Sequence, residues 1–136
     1  MERQADHWLY RLLPEEWLRA ARNELVRAKR ALLQGDRRKG LFEARRAAGM
    51  ALNAWLHIEP REAYGRSYLD HLRALANDAS VPPQVRRAAQ ALLEKPPPAE
   101  LDLVGLRGLS RPAQDDPAHR AEEILEYVGE LVDSRR

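Results

Sequence analysis

Through most of the chain apolar side chains recur at steps of three and four, the period of a helix that buries one face. Leu18, Ala21, Leu25, Ala28 and Leu32 draw the first long stripe and predict a helix from about 14 to 34. Pro14 opens it with its φ already fixed, and Glu15 and Glu16 complement the positive end of the helix dipole. Gly35 and Asp36 end it. A second helix, from about Arg38 to Ile58, is charged in its first half and apolar nearly all round in its second (Ala47, Ala48, Met50, Ala51, Leu52, Ala54, Trp55, Leu56), the signature of a helix at the centre of a bundle. The connection before it is so short that the two must run antiparallel. Pro60 and Gly65 bracket a loop. Tyr68, Leu69, Leu72, Leu75 and Ala76 then predict a third helix that stops near Asn77 to Ser80. Pro82 and Pro83 begin a fourth, with Val85, Ala88, Ala89, Leu92 and Leu93 as its buried face, which ends before Pro96. Asp115 or Asp116 caps a last helix with Pro117 in its first turn and a stripe of Ala121, Ile124, Leu125, Val128, Leu131 and Val132.

Two stretches fit less simply. Gln4 to Leu13, with Trp8, Leu9, Leu12 and Leu13, predicts a short helical extension over residues 1–13. Residues 99–115 carry Leu101, Leu103, Val104, Leu106 and Leu109 yet are broken by Gly105, Gly108 and Pro112, so a packed, irregular connection is expected. The fold predicted is all-α: an up-and-down four-helix bundle with a C-terminal fifth helix, forming a single domain over residues 14–136. Composition agrees. The 136 residues include 21 Ala and 21 Leu but only 6 Val, 2 Ile and no Thr, so the side chains that sheets favour are nearly absent.

With no Cys, disulfide scaffolds, Cys-ligated zinc and thiol catalysis are excluded. The longest run without Asp, Glu, Lys or Arg, Ala47 to Ile58, is too short to span a bilayer, and no signal peptide is expected at the charged start, so the cytoplasm is the expected compartment, with no membrane partner. A net charge of +2 conceals an asymmetry: residues 1–46 hold 12 basic and 7 acidic side chains, residues 96–136 hold 5 and 9. Charge runs of this kind are expected first as solvated surface; the alternative expectation is that they guide the C-terminal helix onto the N-terminal hairpin, or a second copy of the chain onto the first. Arginine outnumbers lysine 20 to 3, which suits bidentate phosphate recognition and also follows from coding bias alone.

The order of these motifs resembles the bacterial and archaeal branch of the HEPN family (higher eukaryotes and prokaryotes nucleotide-binding). The run from Trp17 to Ala28 is similar to the family's first helix, a Trp-Leu, then Ala, then acidic-Leu, then Ala. Gly35 falls where the family turns, and Ala48 to Leu56 is similar to its Ala-rich second helix, with Asn53 in place of a lysine. Asp70-His71-Leu72 resembles its His-Asp-Leu pattern with the histidine one place late, and Ser110-Arg111-Pro112 followed by Ala121 to Val128 resembles its Arg-Tyr-Pro segment and closing helix without the tyrosine. The resemblance implies a bundle that dimerises through helix faces and takes RNA or nucleotides as partners or substrates. It also implies, as a paired partner, a nucleotidyltransferase-like protein, in the manner of toxin–antitoxin systems.

Catalytic members are metal-independent ribonucleases in which an Arg, separated from a His by four to six residues, steadies phosphorane charge while the imidazole moves the 2′-hydroxyl proton. Arg66 and His71 have that spacing, although residues five apart on a helix diverge by about 140°. Arg111 and His119 lie nearer the last helix with seven residues between them. Neither pair matches well, and the leading expectation is a non-catalytic nucleotide- or RNA-binding accessory module acting as a homodimer, with Arg37, Arg38, Arg45 and Arg46 as candidate phosphate contacts, joined by Arg66 or Arg111. A toxin-type ribonuclease and a protein-interaction bundle are the alternatives; Gly35, Ala44, Ala51 and Pro60 miss the offsets of a tetratricopeptide repeat. His57 is expected to cap the second helix and His7 to lie at the surface. No histidine pair at ligand spacing and no glycine-rich phosphate loop points to a metal or cofactor.

Overall fold

The computed structural model describes residues 12–94 and 116–135. These form α1 (Pro14–Leu33), α2 (Arg37–Ile58), α3 (Tyr68–Ala76), α4 (Pro83–Leu93) and α5 (Pro117–Ser134), with one 3-10 turn at Glu62–Tyr64 and no strand among the described residues. The chain is thus an all-α bundle with a C-terminal helix completing it. Residues 1–11 of the expected N-terminal extension, and the expected packed connection over 99–115, lie outside the described residues.

Each helix begins where its first turn finds acceptors or dispenses with a donor. Glu16 Oε1 accepts from the Leu13 N–H at 2.8 Å ahead of α1, and the Asp36 carboxylate accepts from the Lys39 N–H at 3.1 Å. Asp36 therefore starts α2, while Gly35, at φ 84°, makes the turn between the two helices. Ser67 and Asp70 form a capping box: the Ser67 hydroxyl accepts from the Asp70 N–H at 2.9 Å and the Asp70 carboxylate accepts from the Ser67 N–H at 3.4 Å. Pro83 occupies the first turn of α4, and the Asp116 carboxylate accepts from the Ala118 N–H at 2.8 Å to start α5.

At the centre, α2 packs against α1, α3, α4 and α5. Ala44, Ala47, Ala48, Ala51 and Ala54 are all fully buried on it, so neighbouring helices approach its backbone closely, and Leu52, Trp55 and Leu56 fill the space further out. Far from being appended to the bundle, α5 packs on α1, α2 and α4. Lys29 of α1 meets Glu122 near the start of α5 at 3.5 Å, and Arg135 just past the end of α5 reaches Glu59 just past the end of α2 at 2.7 Å. Hence α5 runs antiparallel to α1 and alongside α2.

At α3 the alternation of directions is interrupted. The Tyr68 ring lies on Gly49 and His71 reaches Asn53, so α3 advances along α2 in the same sense at this contact. The chain gains this direction by doubling back through residues 59–67 after Pro60 stops α2. One network holds that return segment. Arg61 pairs with Glu59 at 2.8 Å and Asp78 at 3.4 Å and lies over Trp55 at 4.7 Å, and Asp78 also accepts from the Tyr64 hydroxyl and the Ser80 hydroxyl, each at 2.6 Å. Burial works to raise the Asp78 pKa, but the Ser80 and Tyr64 hydrogen bonds and the Arg61 charge hold it below the usual carboxylate range.

Gly49 is where α3 comes nearest. A Cβ there would overlap the Cβ, Cγ and Cδ1 atoms of Tyr68, which are too close to the α3 backbone to swing away. Gly49→Ala is expected to cost about 1–2 kcal/mol, overpacking outweighing the helix preference that alanine gains over glycine. In a Tyr68→Ala background, where the ring atoms are gone and only the Cβ contact remains, the same substitution is expected to cost clearly less. Urea denaturation of the four proteins checks this, and equal costs in both backgrounds would refute it.

Candidate functional site

The sequence-derived candidates do not come together as one site. His71 is fully buried, its Nδ1 at 2.6 Å from the Tyr64 carbonyl oxygen and its Nε2 at 2.9 Å from the Asn53 amide. A carbonyl only accepts, so Nδ1 carries the proton and, in the neutral ring, Nε2 must receive one. The Asn53 atom facing Nε2 is Oδ1, and the neutral ring is satisfied once the amide turns its NH2 to that nitrogen. Burial holds the His71 pKa below 6.5, opposed by the Tyr64 hydrogen bond and the Asp70 charge, and burial likewise raises that of Tyr68. Arg66 stays exposed ahead of the Ser67 cap. His71 therefore knits α3 to α2 and to the 3-10 turn, and as an enclosed group it is not placed to exchange protons with a phosphodiester at the surface beside Arg66. The two members of the Arg66–His71 candidate pair are thus divided between the surface and the core.

His119, half-buried in the first turn of α5, has Nε2 at 4.0 Å from Glu123, a carboxylate also held by Arg120 at 3.2 Å and by Gln84 of α4 at 2.6 Å. Arg111 lies outside the described residues. His57 is half-buried in the last turn of α2, as a helix-capping histidine would be, and His7 is not described.

The four arginines of α2 take different roles. Arg45 turns inward to α4, its guanidinium donating to the carbonyls of Leu92 and Glu94 (the latter at 2.9 Å), so it closes the C-terminus of that helix, with its pKa lowered by burial. It is a structural cap and is removed from the phosphate candidates. Arg37 and Arg38 are exposed in the first turn. Arg46 pairs with Glu24 of α1 at 3.1 Å, a nearly buried carboxylate that also holds Arg27 at 3.4 Å, and its guanidinium lies 5.7 Å from the centre of the Phe42 ring.

Arg38, Phe42 and Arg46 stand one turn apart on α2 and share a face. Farther along, that face is covered: Tyr68 lies on Gly49 and His71 on Asn53. Because α3 first meets α2 at Gly49 and runs on from there toward the C-terminal end, it leaves the N-terminal half of this face uncovered, and Phe42 is 58% exposed between two arginines of α2, with Arg27 of α1 held by the same Glu24 that pairs with Arg46. Hydrophobic periodicity does not single out Phe42; the signal is that the chain's one phenylalanine sits four residues from an arginine on each side.

Among the described residues the molecule is thus an all-α bundle whose central helix carries an exposed Phe42, with the exposed Arg38 one turn before it and the Glu24-paired Arg46 one turn after it. No group of acidic or histidine side chains that could hold a metal occurs among the described residues, and no described helix is long and apolar enough to cross a membrane. No family model, curated protein or solved structure matches the chain.

Proposed function

We propose that the protein is a HEPN-like, non-catalytic RNA-binding module that holds single-stranded RNA along the Arg38–Phe42–Arg46 strip. The observation that carries this reading is an exposed aromatic ring with the Arg46 guanidinium 5.7 Å from its centre and the exposed Arg38 one helical turn before it. A phenyl face stacks any base, and the arginines stand where the flanking phosphates of a single strand would lie. Arg46 is oriented by Glu24, which leaves it preorganised rather than free to collapse on solvent. Glu24 offsets one of the two charges beside it, so Arg38 and the surplus of Arg27 and Arg46 supply the attraction. The burial of His71 favours binding over cleavage for this face.

In a fluorescence anisotropy titration with labelled single-stranded RNA in EDTA, Phe42→Ala is expected to weaken binding by about 1–3 kcal/mol, roughly 5- to 150-fold. Arg38→Ala is expected to weaken it too and to flatten the salt dependence by about 0.7 in the log–log slope. Because both side chains are exposed, neither change should alter the unfolding midpoint. Equal affinity of wild type and Phe42→Ala would refute the reading. Cleavage of the RNA in EDTA would place the protein with the ribonucleases instead.

A further inference from the structure

We propose that the outer faces of α1 and α5 together form the surface on which a second copy of this chain docks. The two helices lie side by side and antiparallel, joined at one end by Lys29 and Glu122. Away from α2 they present unlike edges. The α1 edge carries Arg22, Val26, Lys29 and Leu33, spaced by four, three and four residues and therefore on one flank of the helix. Val26 is 53% exposed and Leu33 89% exposed, in a bundle whose other large apolar side chains are mostly covered. The α5 edge carries Glu122, Glu126 and Gly129, again spaced by four and three, and a Cβ added at Gly129 would meet nothing within 4 Å.

One half of the surface is thus basic with apolar knobs, and the other is acidic with open space above the backbone at a glycine. Such a surface complements itself. A two-fold axis running along the α1–α5 seam lays the α1 of one copy on the α5 of the other, and the same contact forms twice. Levels along the axis are preserved by that rotation, so Val26 of one copy comes opposite the acidic edge near Glu126 and Gly129 of the other, flanked by its own Arg22 and Lys29. The opposed charges of the two ends of the chain, +5 over residues 1–46 and −4 over residues 96–136, then favour association in place of opposing it. The Arg38–Phe42–Arg46 strip, on a face of α2 turned away from this seam, stays open in such a dimer, so the dimer does not depend on RNA binding.

Two charge-reversed proteins test the proposal, each checked for helicity first. Arg22→Glu places two carboxylates in every copy of the contact, and Glu126→Arg places two guanidiniums there. Light scattering behind size exclusion is expected to give wild type at twice the 15.6 kDa chain mass and each variant alone at the chain mass. An equal mixture of the two variants is expected to return to the double mass, because both contacts of the mixed dimer pair opposite charges. That rescue cannot come from repair within one chain. A monomeric wild type, variants that stay dimeric alone, or a mixture that stays monomeric would each overturn the proposal.

Discussion

Trp55→Ala is expected to be the most destabilising single substitution in the described residues, at about 3–5 kcal/mol. The indole is buried on α2 and meets the edges of Tyr64 at 5.4 Å and Tyr127 at 6.4 Å, with the Arg61 guanidinium over its face at 4.7 Å. Its removal opens a cavity between α2, α5 and the return segment, and it strips Arg61 of the surface that aligns it with Glu59 and Asp78. A domain of this size is stable by only about 5–15 kcal/mol, so the variant should unfold at far lower denaturant than wild type. Trp55→Phe keeps a ring in the site and is expected to lose clearly less. Urea denaturation followed by circular dichroism measures both, and a Trp55→Ala midpoint near that of wild type would show that this network does not hold the fold together.

The second large effect is at His71, where His71→Ala is expected to cost roughly 2–4 kcal/mol, from a cavity and from the Tyr64 carbonyl and Asn53 amide left buried without their partner. It also has a signature in pH. The folded-state pKa of His71 lies below its unfolded value near 6.5, so the unfolded chain binds the extra proton more readily. The stability linked to the neutral ring is present above pH ~6.5 and is lost as pH falls through the folded pKa. Charged or titratable groups near the ring are Asp70 on its own helix and Tyr68 in edge contact, with Asn53 facing it from α2 and the Tyr64 backbone from the 3-10 turn. In His71→Ala this part of the pH dependence should vanish, leaving the decline at lower pH that follows from Asp78 and Glu59, whose pKa values are held low. Denaturation midpoints of both proteins between neutral and mildly acidic pH read this directly. Parallel curves for the two would contradict it.

Helix existence and boundaries were legible in the sequence because proline starts, acidic caps and three-four periodicity all act locally. Asp36 belongs to the start of α2 because its side chain caps Lys39, a detail that separates the end of one helix from the start of the next. The direction of α3 was not legible. It depends on Tyr68 meeting a glycine nineteen positions earlier and on His71 meeting Asn53, and neither contact leaves a periodic trace. For the same reason spacing alone offered Arg66 and His71 as a pair, although one ends at the surface and the other in the core. Arg45 and Arg46 are neighbours of one type in sequence, yet the 100° between them on a helix sends one to the end of α4 and the other to Glu24. Phe42 reads in the sequence as one more apolar residue on an amphipathic helix. The place where α3 first meets α2, at Gly49, decides that it stays exposed.

The most direct test of the central claim is a set of nitrogen–proton correlation spectra of labelled protein recorded while a short single-stranded RNA is added in EDTA. The shifts that move should belong to Arg38, Phe42, Arg46 and their neighbours on α1 near Glu24 and Arg27, with those of α5 unchanged. Spectra that stay the same throughout, or shifts confined to other faces of the bundle, would contradict the assignment of the strip.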